Sequence, residues 1–350
     1  MSQIVSLEKF FKGKNVLITG GTGTVGTALI KELLKYKPEK IRIYSRDETK
    51  QFELQQELSE HHEIMRYFIG DVRDKERLKI ALESTDIIFH AAALKHVPAC
   101  EYNPFEALKT NVMGTQNVIE AARATPSVQK VLFISTDKAT NPSNTMGVSK
   151  LFAERLVANA NQYKGASRSI IFSSVRFGNV IGSRGSLIPL IKRQVETHDY
   201  VTLTDPTMTR FILSLSQATN LVLESAMLAR GGETFILKMP VVNIKDFIEV
   251  LVEYYAPMFK KSAKKIEMRN VGIRRGEKLY EDLMTGEESY SAIENKNMFI
   301  LLTDLLSEIE HKKYYDAFRI RAYGRHASTD FECMSKQQIL KMLQDQNVLL

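Results

Sequence analysis

Short apolar runs alternate with longer stretches of helical periodicity through the first half of the chain. Lys14–Thr19 (KNVLIT) is one such run, and the glycine turn Gly20-Gly21-Thr22-Gly23-Thr24-Val25-Gly26 follows directly. The spacing then predicts a helix from Thr27 to about Tyr36, with Leu29, Ile30, Leu33 and Leu34 on its buried side. Further strands are expected at Lys40–Tyr44, Arg66–Gly70, Asp86–Ala93, Val131–Ile134 and Arg168–Arg176. Helices are expected over Pro104–Thr125 and from Thr145 to about Tyr163. Strands that are apolar throughout and separated by helices argue for an α/β fold, a doubly wound parallel sheet covered on both faces.

Beyond Arg176 the texture changes. Phe177–Gly185 is glycine-rich and polar, a helix is expected from Leu187 to about Glu196, and an amphipathic stretch covers Ser216–Ala229. A turn at Gly231-Gly232, a strand at Thr234–Lys238 and a helix over Asn243–Tyr255 come next. Gly272–Leu279 reads as a basic loop running into a helix. Ser335 with Gln338 forms a capping-box pattern for a last helix to about Leu349. The expected division is therefore 1–176, completed by about 212–238, for the parallel-sheet domain, and 177–350 mainly for a smaller domain laid over the sheet edge. Ligands of such sheets bind at that edge.

Composition adds bounds. The 350 residues are 44% hydrophobic and 25% charged, an ordinary globular balance. Cys100 and Cys333 stand far apart with no metal-ligand spacing, which suggests reduced thiols in a cytoplasmic protein and no bound metal. No apolar run approaches the ~18 residues that a membrane span requires, and the first residues lack a signal-peptide core. The net charge of +7 is mild and suits an anionic ligand. Lys260-Lys261-Ser262-Ala263-Lys264-Lys265 carries no interleaved aromatic and reads as a solvated loop, so nucleic acid is not an expected partner.

The strand–glycine turn–helix context makes the turn a dinucleotide site in a Rossmann-like domain. Gly20 permits the tight turn, Gly23 lets the backbone approach a pyrophosphate, and Gly26 lets the helix pack on the strand. Ser45-Arg46-Asp47 ends the second strand. Arg46 suits the 2′-phosphate of NADP, whereas Asp47 could serve as a ribose carboxylate; the balance favours NADP over NAD. Asp71 and Val72 form a strand tip suited to adenine. Ala91, Ala92 and Ala93 are small enough for a nicotinamide ribose, and Asn111 could bond the neighbouring strand end. Val131–Ile134 ends in Ser135-Thr136-Asp137-Lys138. The helix that follows carries Met146 and Lys150, four residues apart on one face. An acid and an amine at a strand end, facing a second amine, suit proton transfer. The same residues could equally be exposed charges on a strand-to-helix loop.

As a set, TGGTGTVG (19–26), YSRD (44–47), GDVRD (70–74), AAALKHVPACEYNP (91–104), TNVMGTQNV (110–118), STDKATNPSNTMGVSK (135–150), RFGNVIGSRGSLIP (176–189), MTRF (208–211) and GIRRGEKLYE (272–281) resemble the extended short-chain dehydrogenase/reductases that act on nucleotide sugars. Within them the chain resembles the UDP-N-acetylglucosamine 4,6-dehydratases of bacterial surface-glycan synthesis. The resemblance implies NADP-dependent oxidation at C4, elimination across C5 and C6, and hydride return to C6, with C5 inversion left open. It implies Lys138 as the C5 base, where relatives that dehydrate dTDP-glucose carry glutamate, Asp137 as the acid at O6, and Thr136 as a hydrogen bond to the C4 oxygen. A lysine base needs a lowered pKa, for which Lys150 and the cofactor would supply positive charge. Met146 stands where the superfamily usually has tyrosine, so Asp137, Lys138 or water would take the O4 proton, and Lys150 would hold the nicotinamide ribose. For the UDP-sugar the resemblance implies Lys95, Asn179, Leu187, Ile188, Pro189, Lys192, Arg210, Arg274 and Glu277. A UDP-sugar 4-epimerase and a non-catalytic NADP-binding subunit are the alternatives. A homo-oligomer is the expected assembly.

Overall fold

A computed structural model describes residues 6–165, 168–183, 185–303, 313–320 and 323–349. Arg184, within the quoted 176–189 motif, lies outside them. Six strands of the first half are β1 (Asn15–Thr19), β2 (Lys40–Ser45), β3 (Met65–Ile69), β4 (Ile87–His90), β5 (Lys130–Ile134) and β6 (Ile171–Arg176). They run parallel in the order β3-β2-β1-β4-β5-β6, and the strand Thr234–Leu237 joins beside β6 in the same direction. Past it the sheet turns antiparallel through Met298–Leu301, Ala292–Glu294 and Arg319–Ile320. The strand order reverses between β1 and β4, so the crevice outside their carboxyl ends is the switch point at which such sheets bind ligands.

The two faces of the sheet are read along β1. Val16 and Ile18 point into one core layer with Leu29, Ile30 and Leu33 of the helix Thr24–Leu34 and Leu221 and Val222 of the helix Leu215–Leu228. Leu17 points into the other, with Val118, Ile119 and Ala122 of the helix Gly114–Ala124 and Ala153 and Val157 of the helix Thr145–Ala160. This is the two-residue period of a strand buried on both sides. Each such aliphatic side chain contributes roughly 1.5–3 kcal/mol by leaving water. A third core gathers Ile188, Ile191 and Val195 of Leu187–Thr197, Phe247 and Leu251 of Ile244–Met258, and Ile339 and Leu343 of the last helix, Lys336–Asp345. The Ser335–Gln338 capping box forms in both directions.

Three expected elements differ. The glycine-turn helix starts at Thr24, three residues early, because Gly23 takes the N-cap place and Val25 and Gly26 already lie in the first turn. β4 stops at His90, so Ala91, Ala92 and Ala93 form a loop past the strand end. The basic loop does not enter a helix. Residues 277–281 lead instead into the strand Asp282–Met284, which pairs with His326–Ala327. That long-range pairing overrides the helix propensity of Glu-Lys-Leu. Among the described residues no helix is long and apolar enough to cross a membrane. Both cysteines are free thiols.

Candidate active site

The glycine turn passes tightly under the first strand crossover. Gly20 has φ of +65°, and a Cβ there would lie 2.8 Å from the Ala92 backbone. A Cβ on Gly26 would meet the Gly20 carbonyl oxygen at 2.5 Å, so only glycine lets the helix start this close to the strand. Gly23 caps the helix with no side chain of its own, whereas Asp47, Asp74 and Asn144 cap later helices through their carboxylate or amide oxygens. Thr22 ties the turn to β2 through a 2.8 Å bond between its hydroxyl and that of Ser45. Thr24 and Val25 complete the first helical turn.

At the tip of β2 the two candidates divide. Asp47 is committed to its own helix: its Oδ1 accepts from the Lys50 backbone at 3.0 Å and its Oδ2 pairs with the Lys50 ammonium. Arg46 is more than half exposed, with a 3.5 Å contact to Asp71, whose carboxylate also pairs with Arg73 at 2.8 Å. Val72 is turned into the core, where a Cβ on Gly114 would touch it. It therefore offers a ligand its backbone only.

Beneath the switch point lies a chain of polar bonds. The Ala92 N–H donates to the Thr19 hydroxyl (3.3 Å), and that oxygen lies 2.7 Å from His90 Nδ1. On the other side His90 Nε2 lies 3.0 Å from the Thr115 hydroxyl, which donates to the Asn111 carbonyl at 2.6 Å. Thr115 spends its proton on that carbonyl, so it accepts from His90 Nε2–H, and Nδ1 accepts from Thr19. The ring is neutral: burial first, and the Lys150 ammonium second, lower its pKa to about 3. Asn111 meets the loop past β4, not the strand end itself. Its Oδ1 accepts from Leu94 N–H (2.8 Å), while its Nδ2 donates to Leu94 O (3.0 Å) and to the Ser149 hydroxyl (2.8 Å). It sits in a π-turn, Leu108–Met113, that interrupts the expected helix, a distortion that often accompanies functional positions.

At the end of β5 the predicted residues come together. Asp137 is fully buried. Its Oδ1 accepts from the Thr136 hydroxyl (2.8 Å) and from Lys138 Nζ (3.1 Å), while its Oδ2 has no hydrogen-bond partner. Lys138 also donates to Asn179 Oδ1 at 3.4 Å. Glu281, which no reading of the sequence singled out, stands 3.3 Å from Lys138 Nζ and leaves its Oε2 unpartnered. Its nearest sequence signal was its place at the end of GIRRGEKLYE. Burial works to lower the Lys138 pKa, but the Asp137 and Glu281 carboxylates outweigh it, so the value rises. This corrects the expected fall. The cation that works to lower it is Arg210, not Lys150. Burial pushes the Glu281 carboxyl up, against the pull of Lys138.

Lys150 is buried, donates to the Ile134 carbonyl at 2.7 Å and sits 4.4 Å over the Phe133 ring. Burial lowers its pKa to about 8. Met146 stays out of the polar cluster and packs with Cys100 and Ala107.

The residues assigned to substrate divide. Asn179, Leu187, Ile188, Arg210, Ile212 and Phe247 line a largely apolar cleft. Pro189 and Lys192 are not among its lining residues; Lys192 lies 5.5 Å over the Tyr255 ring. Arg210 spends its guanidinium on the carbonyls of Thr209, Lys278 and Leu279, so it holds the 278–281 segment against Lys138. Arg274 and Glu277 contact each other at 3.9 Å outside the cleft lining, and Lys95 is exposed beyond the alanines.

The chain is 44% identical over 293 residues to a UDP-N-acetylglucosamine 4,6-dehydratase (inverting) of Campylobacter jejuni, covering 83% of each chain. It is 39% identical over 309 residues to a UDP-glucose 4-epimerase of Rickettsia bellii, covering 87% of each. The X-ray structure of Pen from Bacillus thuringiensis superposes with a TM-score of 0.91 at 44% identity, over 97% of this chain and 100% of that one. Residues 16–303 match the family model described as polysaccharide biosynthesis protein, and with these relatives the chain belongs to that family, whose dehydratase and epimerase members act on sugar nucleotides.

Proposed function

We propose that the protein dehydrates UDP-N-acetylglucosamine to a UDP-4-keto-6-deoxy-N-acetylhexosamine in the cytoplasm, with NADP as the cofactor. One observation carries this reading: Asp137 and Lys138 stand together in a buried cluster at the carboxyl end of β5, beside the switch-point crevice. An epimerase has no use for a second proton-transfer group beyond the one at O4, whereas elimination across C5 and C6 needs a base and an acid.

The residues suit the dinucleotide. The side-chain-free helix cap at Gly23, the closely packed glycines at 20 and 26, and the loop Ala91–Leu94, held by Thr19 at Ala92 and by Asn111 at Leu94, fit a pyrophosphate and a nicotinamide ribose. Arg46 is open to a 2′-phosphate while Asp47 is used by its helix, which favours NADP over NAD. Bound NADP+ supplies the hydride acceptor for C4 and the donor for C6. Lys150, whose ammonium donates to the Ile134 carbonyl, holds the ribose in this reading.

Proton accounting then follows from the buried groups. Asp137, whose Oδ2 is unpartnered, takes the O4 proton that the missing tyrosine would take. It returns that proton to O6 as water leaves. Thr136 steers the C4 oxygen, and Lys138 removes the C5 proton and gives it back to the ring. Asn179, Leu187 and Ile188 receive the uridine in the apolar cleft that Arg210 also lines, and Lys95, Arg274 and Glu277, which lie outside that lining, are assigned to the polar part of the substrate.

Incubation with UDP-N-acetylglucosamine and NADP is expected to give a keto-deoxy sugar with loss of one water, read by mass spectrometry and proton NMR. Lys138→Ala abolishes water loss while NADP affinity stays within about twofold. Full activity in that variant, or an unchanged sugar with the wild type, overturns the reading. The Rickettsia relative favours 4-epimerisation as the second reading, and a C4-inverted product of unchanged mass would establish it.

A further inference from the structure

The base at the centre of this scheme is in the wrong protonation state. Lys138 faces two carboxylates that favour its ammonium form, and an ammonium cannot remove a proton from carbon. A proton has to leave it without opening the buried site to water.

We propose that Glu281 is the acceptor that frees the Lys138 amine, taking its proton directly across the 3.3 Å between Nζ and a carboxylate oxygen. This rests on Lys138 acting as the C5 base. In the transfer one N–H bond breaks and one O–H bond forms, and an ion pair becomes a neutral pair of the same net charge. No counter-ion is needed, and closure of the crevice over a sugar favours the neutral pair, because desolvation penalises charge. When the C5 proton has passed to Lys138 and back to the ring, the pair relaxes to its starting state. Glu281 acts through Lys138 and not on the substrate.

The surroundings of Glu281 fit the task. It is buried, and its second oxygen bonds nothing. Its backbone is fixed from the far side: its N–H donates to the Ser328 hydroxyl at 3.1 Å, and its carbonyl accepts from Ser328 N–H at 2.9 Å. The charged groups around it are Asp137 and Lys138 from the end of β5, Arg210 at 3.9 Å from the strand Thr209–Leu213, and Lys278 on its own segment. Burial and Asp137 favour its protonated form, and the cations oppose this. Asp137 is the other acceptor within reach, but its proton is already committed between O4 and O6.

The pH dependence of kcat tests this. With the pair intact, the neutral amine arises by internal transfer, and its population is independent of pH between the two macroscopic pKa values of the pair. The wild type is therefore expected to show a flat profile through neutral pH. Glu281→Gln has to lose the lysine proton to solvent, so its kcat rises about tenfold per pH unit up to the lysine pKa. KM stays near the wild-type value. Glu281→Asp retains the flat profile at a lower plateau. A Glu281→Gln profile with the wild-type shape, whether or not lowered throughout, overturns the proposal. Should the wild type release no water at all, the dehydratase reading falls, and the pair is tested without substrate. Acylation of Lys138 followed by mass spectrometry then sets in at lower pH in Glu281→Gln than in the wild type, and an identical onset refutes the coupling.

Discussion

Replacing Asn111 by leucine keeps the branching of the side chain but removes three hydrogen bonds: those to Leu94 N–H, Leu94 O and the Ser149 hydroxyl, all between 2.8 and 3.0 Å. Asn111 is 1% exposed, so water does not replace the lost side chain on its own side. At about 1 kcal/mol net per bond the cost is about 3 kcal/mol, the upper part of the range for a single substitution. Ser149→Ala breaks one of the three together with the 2.7 Å bond from its own hydroxyl to the Met146 carbonyl, and costs about 2 kcal/mol. In a double-mutant cycle the two changes fall short of additivity by about 1 kcal/mol, because they share one bond. Urea unfolding supplies the stabilities. The same bonds hold the loop Ala91–Leu94 over the switch point, so Asn111→Leu also weakens NADP binding, measured by titration, by more than tenfold. A variant within 1 kcal/mol of the wild type, or one that binds NADP normally, would refute the view that this side chain clips the loop in place.

Three further outcomes follow from the site. Arg46→Glu is expected to weaken NADP at least tenfold, to leave NAD binding unharmed and to shift stability by under about 0.5 kcal/mol, since the side chain is more than half exposed; equal loss for both dinucleotides would count against the 2′-phosphate assignment. Arg176 lies buried between Glu154 (2.7 Å) and Glu288 (2.9 Å), and Arg176→Met leaves two uncompensated carboxylates at a cost of about 3–5 kcal/mol; Glu154→Gln with Glu288→Gln in the same chain restores part of that loss in urea melts. His90 is held neutral with a folded pKa of about 3, below its ordinary 6.5. The unfolded chain binds the extra proton, so this group contributes stability that is full above pH 6.5 and is lost toward pH 3, at about 1.4 kcal/mol per unit. His90→Asn reduces the slope of stability against pH in that window, and an unchanged slope would show that the ring is not the group responsible.

What was legible from sequence was local. The turn 20–26, the tip of β2 and the end of β5 are each a few consecutive residues at the carboxyl end of an apolar strand, and a parallel sheet brings all such ends to one edge. The same logic explains the small errors. Glycine at the N-cap hides a helix start, and three alanines after a strand look like more strand, although only the N–H groups of Ala91 and Ala92 bond Thr19. Met146 was legible as a departure, but its packing against Cys100 and Ala107 required coordinates.

The protonation of Lys138 was illegible for a different reason. From sequence a lowered pKa was what a lysine base requires, with burial, Lys150 and the bound cofactor as its expected causes. The fold brings in a second carboxylate from residues far along the chain, carried on a segment that reads as helix by composition and is held extended by His326–Ala327. Arg210, read as a ligand for phosphate, fixes that segment by its carbonyls. The β5 residues are thus only half of the site, and the C-terminal half sets their charge. Whether the amine is a base or a bystander depends on where one carboxyl proton resides. That is a property of tertiary packing, which no motif of consecutive residues encodes.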